Sequence, residues 1–264
     1  MQSSHDHARI EAELVRIARL AGDAIMAVYA REDLGVQTKG DGSPLTQADL
    51  AANRVILREL QLAFPWPVLS EETPIEYPQR QHWTTFWLVD PLDGTKDFLD
   101  RNGEFTVNIA LIEQGRATHG VIYAPAIDEL YYGAVGVGAW CTVRGNSTAL
   151  PQPWGGRALA QSRHHDVPQA GDFAALNGNP PAVAIGSALK FGRLVAGQVD
   201  IYPRFTGSSE WDTAAGDALL QACGCQLRAL PGLVPMRYNT ESLRNPHFIA
   251  AAPHVQLDQL SYPT

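Results

Sequence analysis

The chain has 264 residues, of which 45% are apolar, and its 20 Lys and Arg against 28 Asp and Glu give a formal net charge of −8. This is the composition of a compact globular protein with one large or two medium domains, and an acidic chain without a basic cluster is a poor partner for duplex nucleic acid. Three cysteines are too few for a disulfide framework, and no apolar run approaches the roughly 18 residues of a membrane span, so a cytoplasmic protein without an integral membrane segment is predicted.

The first predicted elements are two helices followed by a sheet. Apolar residues at helical spacing from Ile10 to Val28 predict that the chain opens with an amphipathic helix, which ends near Tyr29. A second helix is predicted between Thr46 and Pro65, where Thr46 and Asp49 have the spacing of a capping box. Short apolar runs then predict a meandering, largely antiparallel sheet, with strands at 68–70, 86–89, 105–112, 121–123 and 129–135.

The second half of the chain has a different pattern. Residues 144–156 are rich in turn formers and lack periodicity, which predicts a domain boundary. Beyond it, strand-like runs alternate with helical runs, as in a small α/β layer. We therefore predict an N-terminal α+β domain over residues 1–145, which carries most of the candidate metal ligands, and a smaller C-terminal α/β domain over residues 146–264.

The strongest chemical signal is the segment WLVDPLDGTKDF at residues 87–98. An apolar strand is predicted to end at Asp90, and Asp93 follows three residues later, where Gly94 and Thr95 begin a predicted helix. Two carboxylates this close repel each other, so they require cations or protons between them. Hard divalent cations suit the carboxylates, and backbone N–H groups at a helix start suit a phosphate. Taken alone, these residues fit a helix-capping turn equally well.

Two further acids lie where predicted elements end or begin. Glu71 follows a short apolar run in LSEE, residues 69–72, and Asp212 lies at a predicted helix start in WDTAAG, residues 211–216. Each alone fits a simpler role, a solvated loop acid for Glu71 and an N-cap for Asp212. Only their combination with the segment at 87–98 is specific.

Five motifs in this order resemble the magnesium-dependent, lithium-sensitive phosphatase family that includes the inositol monophosphatases: KGDGSPLTQAD (39–49), LSEE, DPLDGTKDF, NGEFTVNIALI (102–112) and WDTAAG. Within that family the chain is most similar to the CysQ-type 3′(2′),5′-bisphosphate nucleotidases, for which Lys96 after DGT and the segments RNGEFTVNIALI and YAP (123–125) are typical. The resemblance covers about residues 14–248. It implies a layered αβαβα sandwich, an α+β or α/β arrangement, with the active site between its two halves.

The resemblance also implies a metal site and a catalytic pair. It implies two or three Mg²⁺ ions held by four carboxylates and one backbone carbonyl, those of Glu71, Asp90, Asp93, Asp212 and Leu92. Asp49 and Thr95 match the pair that orients and deprotonates a metal-activated water. Gly94 and Thr95 would offer N–H groups to the phosphate that is cleaved.

Two segments match those that contact adenosine bisphosphate in the subgroup, SRHH at 162–165 and GSALK at 186–190. From them we expect substrate contacts by Ser162, His165, Gly186 and Lys190. Lys190 would meet the second phosphate as a flexible point charge, and ordinary solvent exposure is the alternative. The sequence departs from the subgroup at His164 and Ala188, where serine is usual; these departures concern substrate preference, not the phosphatase chemistry.

The implied reaction is hydrolysis of adenosine 3′,5′-bisphosphate to AMP and phosphate, which clears a by-product of sulfur metabolism. An inositol monophosphatase or another sugar-phosphate phosphatase is the alternative with the same chemistry. A non-catalytic, metal-dependent phosphate-binding protein and a covalent aspartyl-phosphate enzyme are alternatives of other classes. The expected partner is a small nucleotide bisphosphate, and the protein is expected to be a monomer or homodimer in the cytoplasm, free or peripheral on the cytoplasmic face of the inner membrane.

Overall fold

The computed structural model describes residues 4–38, 44–156, 158–164 and 167–263. Within these ranges the helices are α1 (Ser4–Tyr29), α2 (Gln47–Ala63), α3 (Tyr77–Arg80), α4 (Thr95–Leu99), α5 (Pro168–Leu176), α6 (Leu189–Val195), α7 (Glu210–Ala222) and a 3-10 turn at Leu257–Gln259. The strands are β1 (Gln37–Thr38), β2 (Pro44–Leu45), β3 (Val68–Ser70), β4 (Thr85–Asp93), β5 (Thr106–Glu113), β6 (Arg116–Ala124), β7 (Glu129–Ala134), β8 (Gly138–Val143), β9 (Asn146–Leu150), β10 (Leu159–Ser162), β11 (Ala182–Ile185), β12 (Ile201–Arg204), β13 (Gln226–Ala229), β14 (Val234–Pro235) and β15 (Phe248–Ala251).

The first large sheet follows the chain, as the sequence predicts. Its strands lie in the order β3-β4-β5-β6-β7-β8-β9. The β3–β4 pair is parallel and the later pairs are antiparallel. Strands β4, β5 and β7 are buried along nearly their whole length because both faces of the sheet are covered.

Helices α1 and α2 cover one face of the first sheet. The apolar positions predicted for α1, from Ile10 through Leu14 and Ile17 to Val28, are all buried in one cluster with the strands beneath. Helix α2 begins at the predicted capping box, in which the Asp49 carboxylate accepts the Thr46 N–H at 2.8 Å. Both predicted helices are confirmed. Their apolar periodicity and capping residues are local features, so the sequence alone was enough to predict them.

Helices α6 and α7 separate the first sheet from a second one, whose strands lie in the order β11-β10-β12-β15-β13-β14. Strand β10 is parallel to both its neighbours, and β15 is antiparallel to both of its own. Helix α5 packs outside the second sheet, with Phe173 against Phe205 and Tyr262. The layers alternate α, β, α, β, α, so the predicted sandwich is confirmed.

The structure departs from the predicted elements at several places: β6 starts at Arg116 instead of Val121, β8 was not predicted, and two further differences concern the site and the domain boundary. Strand β4 continues beyond Asp90 to Asp93, with an irregular register against β5 between these two residues. Residues Asn146–Leu150, within the stretch predicted to link the domains, form β9 and pair with β8. The change from the first sheet to the second comes after Leu150, and the division into two domains remains a prediction.

Two further features of the described structure are the state of the cysteines and the character of the helices. Cys141, Cys223 and Cys225 are buried and free in the described structure. Across the described ranges, none of the helices combines the length and the apolar character that crossing a bilayer demands.

Candidate active site

A cleft of about 420 Å³ opens where the ends of the two sheets meet α4, α6 and α7. It brings together residues predicted from both halves of the sequence: Glu71, Asp90, Leu92, Asp93, Gly94, Thr95, Ser162, Gly186, Lys190 and Asp212. Asp49 is buried next to the cleft, where it contacts Thr95. The remaining predicted contact, His165, lies outside the described residues.

Three carboxylates converge in this cleft. Asp90, Asp93 and Asp212 each offer an oxygen, and these three oxygens lie within 4.8 Å of one another. Burial raises the pKa of Asp93, although the nearby Lys190 ammonium opposes the shift. Burial, followed by the charges of Asp93 and Glu71, raises the pKa of Asp212 to about 7. The repulsion among these groups would be offset by a bound cation, and an all-oxygen donor set fits Mg²⁺.

The local sequence of β4 explains how two of these carboxylates come together. The Leu92 N–H donates to Asp90 Oδ1 at 3.1 Å, across Pro91, which has no N–H of its own. The register against β5 shifts at this point, so Asp90 pairs with Asn108 and Asp93 with Thr106. Side-chain alternation is therefore interrupted, and both aspartates reach the cleft from one strand.

Asp212 comes from the second half of the chain, as the third residue of α7. Its Oδ2 accepts the Ser209 N–H at 2.7 Å, so Ser209, not Asp212, is the N-cap residue. The capping bond fixes the carboxylate at the start of the helix, where the aligned peptide dipoles also favour negative charge.

Glu71 and Leu92 line the same cleft as the three aspartates. Glu71 follows β3, and its N–H donates to the Val89 carbonyl at 3.1 Å, which ties it to the strand that carries Asp90. It is not one of the three residues whose oxygens lie within 4.8 Å, although its charge acts on Asp212. Its position suits a ligand at the edge of the cluster.

Asp49 makes a helix-capping contact with one carboxylate oxygen and contacts Thr95 with the other. Its Oδ2 accepts from the Thr46 N–H at 2.8 Å and from the Thr46 hydroxyl at 2.5 Å, which confirms the capping role. Its Oδ1 accepts from the Thr95 hydroxyl at 3.5 Å. Thr95 is positioned by Gly94, which has a φ of +86°, a value that glycine adopts without strain.

Lys190 does not extend into solvent, so the exposed alternative is wrong. It is 4% exposed, its Nζ donates to the Ile185 carbonyl at 3.1 Å, and the same Nζ lies 5.3 Å from the centre of the Tyr202 ring. Burial lowers the pKa of Lys190 to about 8, although the Asp93 carboxylate opposes the shift. The ammonium is held in place and is not a flexible surface charge.

Sequence reasoning missed a second cation beside Lys190. Arg204 ends β12, lines the cleft and donates through Nη1 to Ser162 Oγ at 2.7 Å. No motif surrounds it, and its place two residues after the strand-like run at 200–202 was the only available signal. Asp97, Arg163 and His164 also line the cleft, although none was selected from the sequence as a contact.

Comparisons with known proteins agree with this geometry. The model of the inositol monophosphatase family matches residues 6–259. A 3′(2′),5′-bisphosphate nucleotidase CysQ from Salmonella typhimurium is 45% identical over 244 residues, which cover 89% of this chain and 97% of that protein. The corresponding protein of Escherichia coli is 44% identical over 245 residues, with 89% and 97% covered.

Solved structures show the same likeness. The crystal structure of CysQ from Bacteroides thetaiotaomicron, described as a bacterial member of the inositol monophosphatase family, superimposes with a TM-score of 0.84 at 37% identity, covering 92% of this chain and 97% of that one. The suhB protein of Bartonella henselae gives a TM-score of 0.74 at 27% identity, with 93% and 94% covered. Family model, relatives, fold and acidic cleft all agree, and this chain belongs to the inositol monophosphatase family.

Proposed function

We propose that the protein is a Mg²⁺-dependent 3′(2′),5′-bisphosphate nucleotidase that hydrolyses adenosine 3′,5′-bisphosphate to AMP and phosphate. The observation that carries the proposal is a single cleft in which a carboxylate cluster lies next to two cations, Lys190 and Arg204. A bisphosphate needs a site for each phosphate, and the cations supply charge for the one that is not cleaved. The nucleotidase names of relatives at 44–45% identity support the same substrate.

The metal is proposed to be Mg²⁺, as two or three ions. Its ligands would be the carboxylates of Glu71, Asp90, Asp93 and Asp212 and the carbonyl of Leu92. The donor set is all oxygen, and burial, followed by the charges of Asp93 and Glu71, raises the pKa of Asp212, a cost of ionisation that a divalent cation offsets. When bound, Mg²⁺ supplies the positive charge that polarises the phosphate ester and favours ionisation of water.

The chain's own groups would move the proton. A water held against phosphorus gives its proton to Thr95 Oγ1, while the Thr95 hydroxyl proton passes to Asp49 Oδ1, 3.5 Å away. The water oxygen would then bind phosphorus as the bond from phosphorus to the 3′ ester oxygen breaks, and that oxygen would take up a proton from solvent to become the 3′ hydroxyl of AMP. The bonds from Thr46 to Asp49 Oδ2 keep the carboxylate oriented for this transfer. The N–H groups of Gly94 and Thr95 would bind a phosphate oxygen and hold the ester in line with the water.

Ser162, His165, Gly186 and Lys190 remain the proposed substrate contacts. Ser162 Oγ already accepts from Arg204, so a phosphate near Arg204 would also be near Ser162. Lys190 is held by Ile185, and a fixed ammonium lowers the entropic cost of binding an anion.

A phosphate-release assay with Mg²⁺ tests the proposal. Adenosine 3′,5′-bisphosphate and inositol 1-phosphate are compared side by side, with and without Li⁺. We expect faster release from the bisphosphate and inhibition by Li⁺. A preference for the inositol ester would assign the sugar-phosphate activity instead. Nucleotide binding without release would indicate the non-catalytic alternative, and an acid-stable phosphoaspartate at Asp90 or Asp93 would indicate the covalent one.

We also propose that the protein acts in the cytoplasm. The free, buried cysteines are compatible with a reducing compartment. Fractionation of cells would separate a free protein from one that is peripheral on the inner membrane, and light scattering would separate monomer from homodimer.

A further inference from the structure

One carboxylate, bonded to two residues that line the cleft, joins the two halves of the molecule. Glu104 lies between α4 and β5 in the first half. Its Oε2 accepts from Arg163 through Nη2 at 2.7 Å and Nε at 3.1 Å, and from the Gly186 N–H at 2.7 Å. Arg163 follows β10 and Gly186 follows β11, so a single oxygen binds two segments of the second half.

A second carboxylate, that of Asp97, also contributes to the contact between the two halves. Asp97, with a side chain only 4% exposed, accepts from Asn102 Nδ2 at 2.6 Å and lies 3.2 Å from His164 Nε2. Gly186 packs directly on it, because a Cβ at position 186 would lie 2.7 Å from the Asp97 carboxylate atoms. A side chain at position 186 would therefore force the Asp97 carboxylate, which is bonded to Asn102 and lies close to His164, to shift.

These bonds determine where the predicted substrate segment lies. Arg163 Nη2 also donates to the Ala184 carbonyl at 3.1 Å, and Lys190 Nζ donates to the Ile185 carbonyl at 3.1 Å. The wall of the cleft that begins at Gly186 is thus held by Glu104 directly at the Gly186 N–H, and through Arg163 at Ala184 just before it.

We propose that Glu104 is a positioning residue that holds Arg163 and the Gly186 backbone in place, so that the far end of a bisphosphate meets a preorganised wall. The substrate in this proposal rests on the proposed function. Charge-assisted hydrogen bonds of this kind are strong, and preorganisation acts on affinity. Asp49, Asp90 and Asp212 accept hydrogen bonds that do not involve Glu104. Loss of Glu104 should therefore leave the chemical step nearly unchanged.

The kinetic test uses Glu104→Ala and Glu104→Gln with adenosine 3′,5′-bisphosphate and saturating Mg²⁺. The alanine variant should raise KM about tenfold or more while kcat stays within about threefold, because ground-state positioning is lost. The KM of the glutamine variant should lie between those of the parent protein and the alanine variant, because its amide oxygen can still accept the Gly186 N–H. Gly186→Ala should reach the same KM defect by a different route, through the clash with Asp97.

Glu129→Gln is the matched control. Glu129 also joins the first sheet to the second half, through an ion pair of 2.8 Å with Arg193 of α6. Its partner Arg193 is not among the residues that line the cleft, whereas Arg163 and Gly186, the partners of Glu104, both are. This variant should lower the melting temperature and leave KM unchanged. A fall in kcat at constant KM in Glu104→Ala, or an equal KM change in Glu129→Gln, would overturn the positioning role.

Hydrogen exchange tests the proposal without turnover. The amides of residues 184–187 should exchange faster in Glu104→Ala than in the parent protein or in Glu129→Gln, because the Gly186 N–H loses its acceptor. Unchanged exchange at Gly186 would overturn the proposal. If the parent protein does not hydrolyse the bisphosphate, the proposed function fails, and exchange at Gly186 still decides whether Glu104 holds this wall.

Discussion

At the scale of single residues, the main feature of the molecule is a set of buried groups whose charge states depend on one another. Burial raises the pKa of Asp93 and of Asp212, and the charge of Asp93 raises the pKa of Asp212 further. Burial lowers the pKa of Lys190, which lies beside them. Buried ionised groups of this kind are compatible with a stable fold when opposite charge lies near them, and they destabilise the fold when it does not.

The first prediction concerns these aspartates. Asp93→Asn and Asp212→Asn should each lower Mg²⁺-dependent phosphate release by about 100-fold or more, because a ligand is lost. Without metal, each variant should melt no lower than the parent, because one of the repelling charges is gone. The rise in melting temperature that Mg²⁺ causes in the parent protein should disappear.

Asp172→Asn is the control, since it removes one exposed charge from α5. It should keep both turnover and the Mg²⁺-induced stabilisation. Full activity in Asp93→Asn or Asp212→Asn would remove that residue from the metal site.

The second prediction concerns His119, which is 1% exposed and lies with its Nε2 2.8 Å from His7 Nδ1. Burial, followed by the charge of His7, lowers the pKa of His119 to about 4. Between about pH 6.5 and 4 the unfolded chain takes up a proton that the folded protein does not, so the free energy of unfolding falls as pH falls through this window. The loss should be of the order of 2–3 kcal/mol.

Urea unfolding at pH 7.5 and 4.5 measures this effect. His119→Gln should be less stable than the parent at pH 7.5, and it should lose less stability on acidification. His82→Gln removes an exposed histidine and should retain the parent's pH dependence. An unchanged pH dependence in His119→Gln would show that His119 does not carry the effect.

At the scale of elements, α7 connects the core to the cleft. Its first turn carries Asp212, and its body lies against glycines of the first sheet. A Cβ at Gly120 would lie 2.4 Å from the Ala215 carbonyl oxygen, and one at Gly133 would lie 2.7 Å from the Leu219 Cα. The opposing atoms belong to the helix backbone, which cannot move aside as a side chain can.

The third prediction is therefore that Gly120→Ala destabilises the fold by about 3 kcal/mol or more, as overpacking against backbone does. Displacement of α7 should also weaken the Mg²⁺-induced rise in melting temperature. Gly171→Ala is the control, because Gly171 lies in α5 with nothing within 4 Å of its added Cβ. That variant should be neutral or more stable, since alanine favours a helix. Equal melting temperatures for the two variants would contradict this role of Gly120.

The helices and strands also show which structural features sequence patterns can predict. Helical periodicity predicted α1 and α2, because each of these helices buries one face. Apolar runs predicted β3 to β7, because these strands are buried on both faces of the sheet. Strand β9 was missed because nearly all its residues are exposed, and only pairing with β8 makes it a strand. The extension of β4 to Asp93 was missed for a similar reason, since the shifted register depends on β5.

At the scale of the whole molecule, the two halves share one core. A single buried cluster contains Leu88 and Ala110 of the first sheet, Leu219 of α7, and Ile201 and Ile249 of the second sheet. We keep the division at residues 1–145 and 146–264 as a proposal about architecture. Halves that share buried surface to this extent are expected to unfold together.

The fourth prediction is one cooperative unfolding transition. Far-UV circular dichroism and tryptophan fluorescence should give the same denaturation midpoint, because tryptophans such as Trp87 and Trp154 report on the two halves. Addition of Mg²⁺ should raise both midpoints together, since the candidate ligands come from both halves. Two separate transitions would show that the halves fold independently.

The sequence alone determined whatever depends on short-range geometry: the helices with their caps, the two aspartates of β4, and the residue types that resemble a phosphatase family. The tertiary structure decided which distant residues meet. Asp212 reaches Asp90, Lys190 is buried against Tyr202, Arg204 bonds Ser162, and Glu104 holds Arg163 and Gly186. Local spacing carries no information about such contacts, because each depends on how two sheets pack across α6 and α7 and on the desolvation that this packing imposes.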